Sequence, residues 1–381
     1  MKIKAAKLIL PDREVEQASL LIADGLIQSV GVTGGDVDVD LSECVILPGF
    51  IDVHNHGSIG IDVLEATQDG LAEVSQYLAS QGVTGWLPTT VPASDENYAQ
   101  VARIVELAMR DENNGARVLG IHYEGPFVNS LQCGALHTSH FKTYKRPTDL
   151  DNLKTPPTGA RMTTLAPEIE GGLELIGELK RRGWVVSIGH TRADLKTLDA
   201  AFKNGARHMT HFMNAMTPLH HRTPGPVNWG LLRDDVTCDI IADGIHLDPS
   251  MIDLIVKVKK ARSVALISDA IAATGKGDGD YEIWGEKISV KDGRTSNLAG
   301  SIAGSVISML DAVKMMRSLG APDVEIAQMA SSNPARLLGI DAECGSIEEG
   351  KRADLVAIDE AGNVKLTMIG GEVLYPPITQ S

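Results

Sequence analysis

Short apolar runs and longer amphipathic stretches alternate through the middle of this chain. Runs of about 4–8 residues rich in β-branched side chains and bounded by turn residues read as strands. They fall at 47–53, 83–88, 117–123, 161–166, 184–189, 206–210, 237–242 and 263–268. Between them lie stretches such as 71–79 and 173–180, whose apolar residues recur at helical spacing. Eight strands alternating with helices predict an α/β fold, a (β/α)8 TIM-like barrel over residues 46–339. A doubly wound open sheet would give a similar alternation, but no G-x-G-x-x-G follows any of the runs.

The two ends do not continue this rhythm. Residues 19–30 form two short apolar runs around Asp24-Gly25, a hairpin signal. Residues 345–359 and a second hairpin over 364–374 mirror it at the other end. The expectation is one small β-sandwich domain assembled from residues 1–45 and 340–381, beside the barrel.

Composition narrows the class. A chain of 381 residues with 43% hydrophobic content can bury a large core. Its formal charge of -15, with no long basic run, excludes a nucleic-acid surface. No segment approaches the roughly 18 apolar residues of a membrane span, and the apolar stretch after Met1 is too short for a signal peptide, so a cytoplasmic enzyme with no membrane partner is expected. Cys44, Cys133, Cys238 and Cys344 are scattered without a C-x-x-C pair, which argues against a disulfide framework or a thiolate metal site.

The candidate chemistry sits just beyond the apolar runs. His54 and His56 close the first run on alternate residues, and side chains at i and i+2 of a strand point the same way. Glu124 follows the third run, His190 the fifth, His211 the sixth and Asp269 the eighth. Each alone has an ordinary explanation: Glu124, His190 and Asp269 could cap the turns that follow them. Together they occupy the barrel ends where such folds build active sites. Imidazole and carboxylate donors suit zinc, iron, manganese or cobalt, and a metal with open positions acidifies bound water and polarises a carbonyl. Hydrolysis of an amide or related bond is the expected reaction. His122 shares its face with Glu124 and is read as orienting a ligand. His208 is read as packed or bound to backbone, His220 and His221 as solvated, and the methionines of 309–316 as core filler.

The segment Pro48-Gly49-Phe50-Ile51-Asp52-Val53-His54-Asn55-His56-Gly57, the strand-end histidines, the late aspartate and the 345–356 segment resemble the amidohydrolase superfamily over nearly the whole chain. Within it, residues 122–127, 165–168, 211–216, 241–246 and 268–270 are similar to deacetylases of N-acetylated amino-sugar 6-phosphates. The resemblance implies that Glu124, His190 and His211 hold the principal divalent metal, zinc foremost. His54 and His56 would help hold a second, so one or two ions are implied. Asp269 would be the general base. Asn214 and Ala215 would contact the sugar, Asp243 and His246 would line the phosphate end, and Ile302, Ala303 and Gly304 would close the pocket. Arg222 matches an arginine that reaches the phosphate from a neighbouring subunit, implying a homodimer.

Gly134-Ala135-Leu136-His137 is one residue longer than the family's Gly-x-His. His137, with Ala135, takes the implied role at the acetyl carbonyl. The extra residue leaves the glucosamine and galactosamine epimers both open as substrate. Two other readings stand beside these: a hydrolase like D-aminoacylase or dihydroorotase, and a non-catalytic scaffold, from which metal ligands would have been lost.

Overall fold

The computed structural model describes residues 1–31, 34–110 and 115–376, so residues 377–381 of the expected terminal domain lie outside it. The barrel strands, in chain order, are Phe50–Asn55, Val83–Thr90, Arg117–Val118 continued by Gly120–Glu124, Ala160–Leu165, Val185–Ile188, His208–Met209, Thr237–Ile241 and Val264–Ile267. Each pairs in parallel with the next. The second strand is buried at all eight positions, as a parallel strand covered on both faces must be.

Helices pack around this ring by the stripes the periodicity predicts. Gln68–Ser80 starts at Thr67, whose hydroxyl accepts from the Gly70 N–H at 3.1 Å, and Asp69 sits in its first turn. It buries Leu71, Val74 and Leu78, each worth about 1.5–3 kcal/mol of transfer free energy when fully covered. The Trp86 indole of strand two donates to Ser75 Oγ of the same helix at 3.0 Å, so its polar edge is also satisfied.

Ladder hydrogen bonds run unbroken from strand one to strand eight, but none join strand eight to strand one among the described residues. Two backbone bonds close the ring instead, Asp269 N–H to the His54 carbonyl at 2.9 Å and His56 N–H to the Ala270 carbonyl at 2.7 Å. The closure therefore uses the residues expected to carry the chemistry.

Both termini build one sheet, in the order Glu372–Tyr375, Val364–Ile369, Leu355–Ile358, Val39–Pro48, Lys2–Ile9, Ser19–Ala23 and Leu26–Val30. Ile3, Leu8, Leu20, Ile46, Leu355 and Met368 form its own core, giving the small β-sandwich beside the barrel. No helix among the described residues is long and apolar enough to cross a membrane. The four cysteines are free.

Three elements differ from the sequence reading. The apolar run at 47–53 is split: Pro48 still pairs with Leu355 in the terminal sheet, and the barrel begins at Phe50. Gly49 makes the crossing, because a Cβ there would come within 2.1 Å of Thr84. Strand six shrinks to His208–Met209, since the chain turns off at His211, which has a φ of 30°. A three-stranded antiparallel sheet, Gly279–Ile283, Glu286–Lys291 and Arg294–Ser296, stands between strand eight and helix Met309–Ser318. Its signal was the alternation of Tyr281 with Ile283 and of Ile288 with Val290, around the turns Trp284-Gly285 and Asp292-Gly293.

Candidate active site

The six strand-end residues converge on the C-terminal mouth of the barrel, and all are buried. His54 and Glu124 belong to strands one and three themselves, while the other four lie just past strand ends. His190, His211 and Asp269 have φ values of 48°, 30° and 50°, where side-chain-bearing residues are rarely found. Such backbone costs on the order of 1–3 kcal/mol per residue and persists only where the surroundings impose it.

The donor atoms fall into two sets that share a carboxylate. Glu124 Oε1 is 3.0 Å from Nε2 of both His190 and His211, and these two nitrogens are 3.1 Å apart. Nε2 of His54 and of His56 are 3.1 Å apart, and each is 3.3 Å from Asp269 Oδ1. The second oxygen, Glu124 Oε2, lies 3.4 Å from His56 Nε2, so the glutamate spans the two sets. Triangles of this edge suit a cation bound at about 2.0–2.2 Å from nitrogen and oxygen donors.

Charge gives the same answer. Burial raises Glu124, but hydrogen bonds with His190, His211 and His56 outweigh it and hold the carboxyl well below its ordinary range. Burial also lowers His56 and His211, yet Asp269 and Glu124 overcome it for His56 and chiefly Glu124 for His211, raising them to about 10 and about 9. His54 goes the other way, pushed well down by burial and by its histidine neighbours. Two buried carboxylates thus recruit two protons onto imidazoles. A divalent cation carries the same charge and fits this donor set.

A polar layer under the site fixes its ligands. His190 Nδ1 bonds the Gln132 carbonyl at 2.7 Å. The His211 backbone N–H donates to the Asp239 carboxylate. His122 bonds Thr164 at 2.9 Å and packs edge-on to His54 with ring centroids 4.6 Å apart, so it braces a ligand through packing. His208 is packed, the first of the two alternatives read from the sequence, and its ring is held by side chains, not backbone: Nδ1 meets Thr237 Oγ1 at 2.7 Å and Nε2 meets Asp239 Oδ2 at 2.8 Å. Asp239 was not singled out in the sequence, because nothing in a mid-strand Cys-Asp-Ile marks it as an anchor for two histidines.

The mouth opens into a cavity of ≈ 310 Å³ lined by His56, Glu124, His190, His211 and Asp269 on one side. Ala135, Asn214, Ala215, His246, Ile302 and Gly304, among the residues expected to contact substrate, also line it. The Asn214 side-chain amide nitrogen is buried without a protein partner, a donor left for a ligand. His246 has Nδ1 bound to Asp243 Oδ2 at 2.7 Å, leaving Nε2 as its other polar atom. Burial pushes the Asp243 carboxyl up, but bonds from His246 and from the Ile245 and His246 N–H groups bring it below 3.8. Gly304 is required at φ +58°, where a Cβ would lie 2.6 Å from Ile271 and 2.9 Å from the Asp269 carbonyl.

Four expected contacts do not line this cavity. Asp243 acts behind His246. Ala303 is fully buried with its N–H given to Thr295 Oγ1 at 3.1 Å. His137 bonds the Trp284 carbonyl at 3.0 Å, and its neighbour Leu136 lines the wall instead. Arg222 is exposed in its loop. Trp284, which the sequence reading passed over, lines the cavity from the hairpin turn with its ring centroid 5.4 Å from that of His56.

A (β/α)8 barrel with a histidine and carboxylate metal centre at its strand ends defines a metal-dependent hydrolase. The chain belongs to the amidohydrolase family, whose model matches residues 45–374. It is 38% identical to the N-acetylglucosamine-6-phosphate deacetylase of Bacillus subtilis (strain 168), over 88% of this chain and 85% of that protein. It is also 36% identical to the N-acetylgalactosamine-6-phosphate deacetylase of Escherichia coli O157:H7, over 97% and 98%. The crystal structure of N-acetylglucosamine-6-phosphate deacetylase from Thermotoga maritima superposes with a TM-score of 0.90 at 35% identity, covering 98% of this chain and 99% of the other.

Proposed function

We propose that the protein hydrolyses the N-acetyl group of N-acetylglucosamine 6-phosphate to glucosamine 6-phosphate and acetate. The observation that carries this reading is the joining of two donor sets on Glu124 at the wall of a cavity whose remaining polar groups suit a sugar. Glu124, His190 and His211 hold the principal divalent cation, which we take to be zinc, and His54 and His56 with Asp269 hold a second when present. Bound there, such a cation acidifies water and polarises the acetyl carbonyl.

The chain's own residues supply the rest. Asp269, 3.3 Å from His54 and His56, accepts the proton of the attacking water and returns it to the leaving amine. Its backbone is held on both sides, the N–H by the His54 carbonyl and the carbonyl by the Ser305 N–H, which fixes where the side chain leaves the chain. Asn214 donates to a sugar hydroxyl, with Ala215 beside it. Ala135 bounds the acetyl side, with His137 behind it on the Trp284 carbonyl; Ile302 and Gly304 form the opposite wall, backed by the buried Ala303; and His246, held by Asp243, meets the phosphate end. Arg222 reaches the phosphate of a neighbouring copy in a homodimer. Its loop is shaped by His220 Nδ1, which accepts from the Thr223 N–H at 3.0 Å, and the guanidinium has no carboxylate partner among the described residues. A charged sugar phosphate does not cross a bilayer unaided, so the reaction belongs to the cytoplasm where such esters are made.

The galactosamine epimer is a second reading, supported by the 36% identity to a relative named for that substrate. Amine release from each N-acetylated 6-phosphate, and from the unphosphorylated sugars, tests both. Faster turnover of the glucosamine epimer supports the main reading, and no metal-dependent release from any of them overturns both.

A further inference from the structure

A second cavity, ≈ 480 Å³, opens at the opposite end of the barrel, where strands five to eight begin. One wall is apolar, formed by Trp184, Val186, Ala265, Leu337 and Leu338. Around it stand Lys180, Arg207, Arg262 and Arg336, none with a carboxylate partner among the described residues. The lining carboxylate, Asp235, is already engaged by Arg233 through two bonds of 2.9 and 3.1 Å. Four free cations around one mouth are unexpected in a chain of net charge -15.

The cations are held in place rather than scattered. Arg207 stacks on the Phe202 ring at 3.6 Å and donates to the Ala206 carbonyl at 3.0 Å. Arg336 donates to Asn333 Oδ1 at 3.0 Å, which leaves most of its fork free. Asn333 is buried and its amide donates to the Ala261 and Val264 carbonyls at 2.7 and 2.6 Å, pinning the helix that carries Arg336 beside Arg262. The Lys180 stem lies over Gly205, where a Cβ would be only 2.9 Å from Lys180 Cγ.

We propose that this cavity binds a nucleoside phosphate. Guanidinium groups present planar paired donors that match phosphate oxygens. The apolar wall suits a flat, uncharged base, which a simple sugar phosphate lacks. The volume lies within the roughly 300–1,000 Å³ of small-molecule sites. The site is distinct from the metal centre, which occupies the other end of the strands, and does not depend on the deacetylase reading.

Calorimetric titration of the metal-loaded protein with AMP tests the assignment, with adenosine, ribose 5-phosphate and inorganic phosphate as comparison arms. AMP is expected to bind at one site, with each of the other three weaker by about tenfold or more. The double variant R262A/R336A, altered only at exposed side chains, should lose about tenfold in AMP affinity at unchanged melting temperature, and K180A should weaken it independently. No AMP binding, equal binding to R262A/R336A, or ribose 5-phosphate binding as tightly as AMP would each overturn the proposal. Because the readout is binding, failure here and failure of the deacetylase reading are separable.

Discussion

The Ser268 hydroxyl donates to the Asp52 carboxylate at 2.5 Å, joining the first and last barrel strands where no ladder does. Asp52 also accepts from Asn55 Nδ2 at 3.1 Å and from the Ser268 N–H at 3.2 Å. Every partner is a donor, and the carboxylate is fully buried. Ser268→Ala should therefore lower stability by about 1–3 kcal/mol. Asp52→Asn should cost more, since it turns an amide N–H towards donors. Chemical denaturation measures both, and a smaller loss for Asp52→Asn would show that the closure does not rely on an acceptor-only group.

Asp269→Asn keeps the shape and removes the base. We expect kcat to fall by about 100-fold or more. Metal analysis should still find the ion of the Glu124, His190 and His211 set, because Asp269 belongs to the other set. Retained turnover would remove Asp269 from its assigned role.

Metal affinity should depend steeply on pH. His56 and His211, raised from 6.5 to about 10 and about 9, carry protons at neutral pH that a cation must displace. Apparent affinity should rise by about tenfold per pH unit for each set filled. The stabilising charge interactions of a group with a raised pKa are fully present below 6.5 and lost as pH rises through the folded value. The chelated protein should accordingly melt at lower temperature as pH climbs from 7 to 10, while the loaded protein changes less. Affinity that is flat with pH would mean the imidazoles are neutral before the cation arrives.

Arg222→Ala should raise KM by about tenfold or more and leave kcat nearly unchanged, because the contact is remote from the reacting bond. Sedimentation of the unmodified protein should show a dimer. A monomer with normal KM would exclude a contribution from a second copy.

Trp284→Ala opens the wall beside His56. Water then reaches the metal centre more freely, and kcat should drop by about tenfold or more. Melting temperature should fall too, because the ring packs against two apolar clusters and reaches the half-buried Asp62. Unchanged kcat would make Trp284 a bystander.

Much of this protein is written in local pattern. The alternation of runs marks the eight barrel strands, and six polar residues just beyond them mark the metal centre, because period and strand ends are properties of a short stretch of chain. The closer resemblance carried by segments such as 211–216 and 241–246 extends this to Asn214, Ala215 and His246, and its pattern adds Ile302 and Gly304; all five line the cavity. The hairpin sheet of 279–296 was missed although its alternation and turns carry a signal, because it interrupts the barrel rhythm around it.

Tertiary structure decided whatever depends on distant segments meeting. His54 and His56 close the barrel through backbone bonds to Asp269 and Ala270, and Glu124 spans two donor sets with its two oxygens. Asp239 holds both His208 and the His211 backbone from a neighbouring strand. Trp284 arrives at the cavity from a hairpin, and His137 turns away to its carbonyl. A strand end fixes where a side chain leaves the sheet, and only the packing of the ring fixes what it faces.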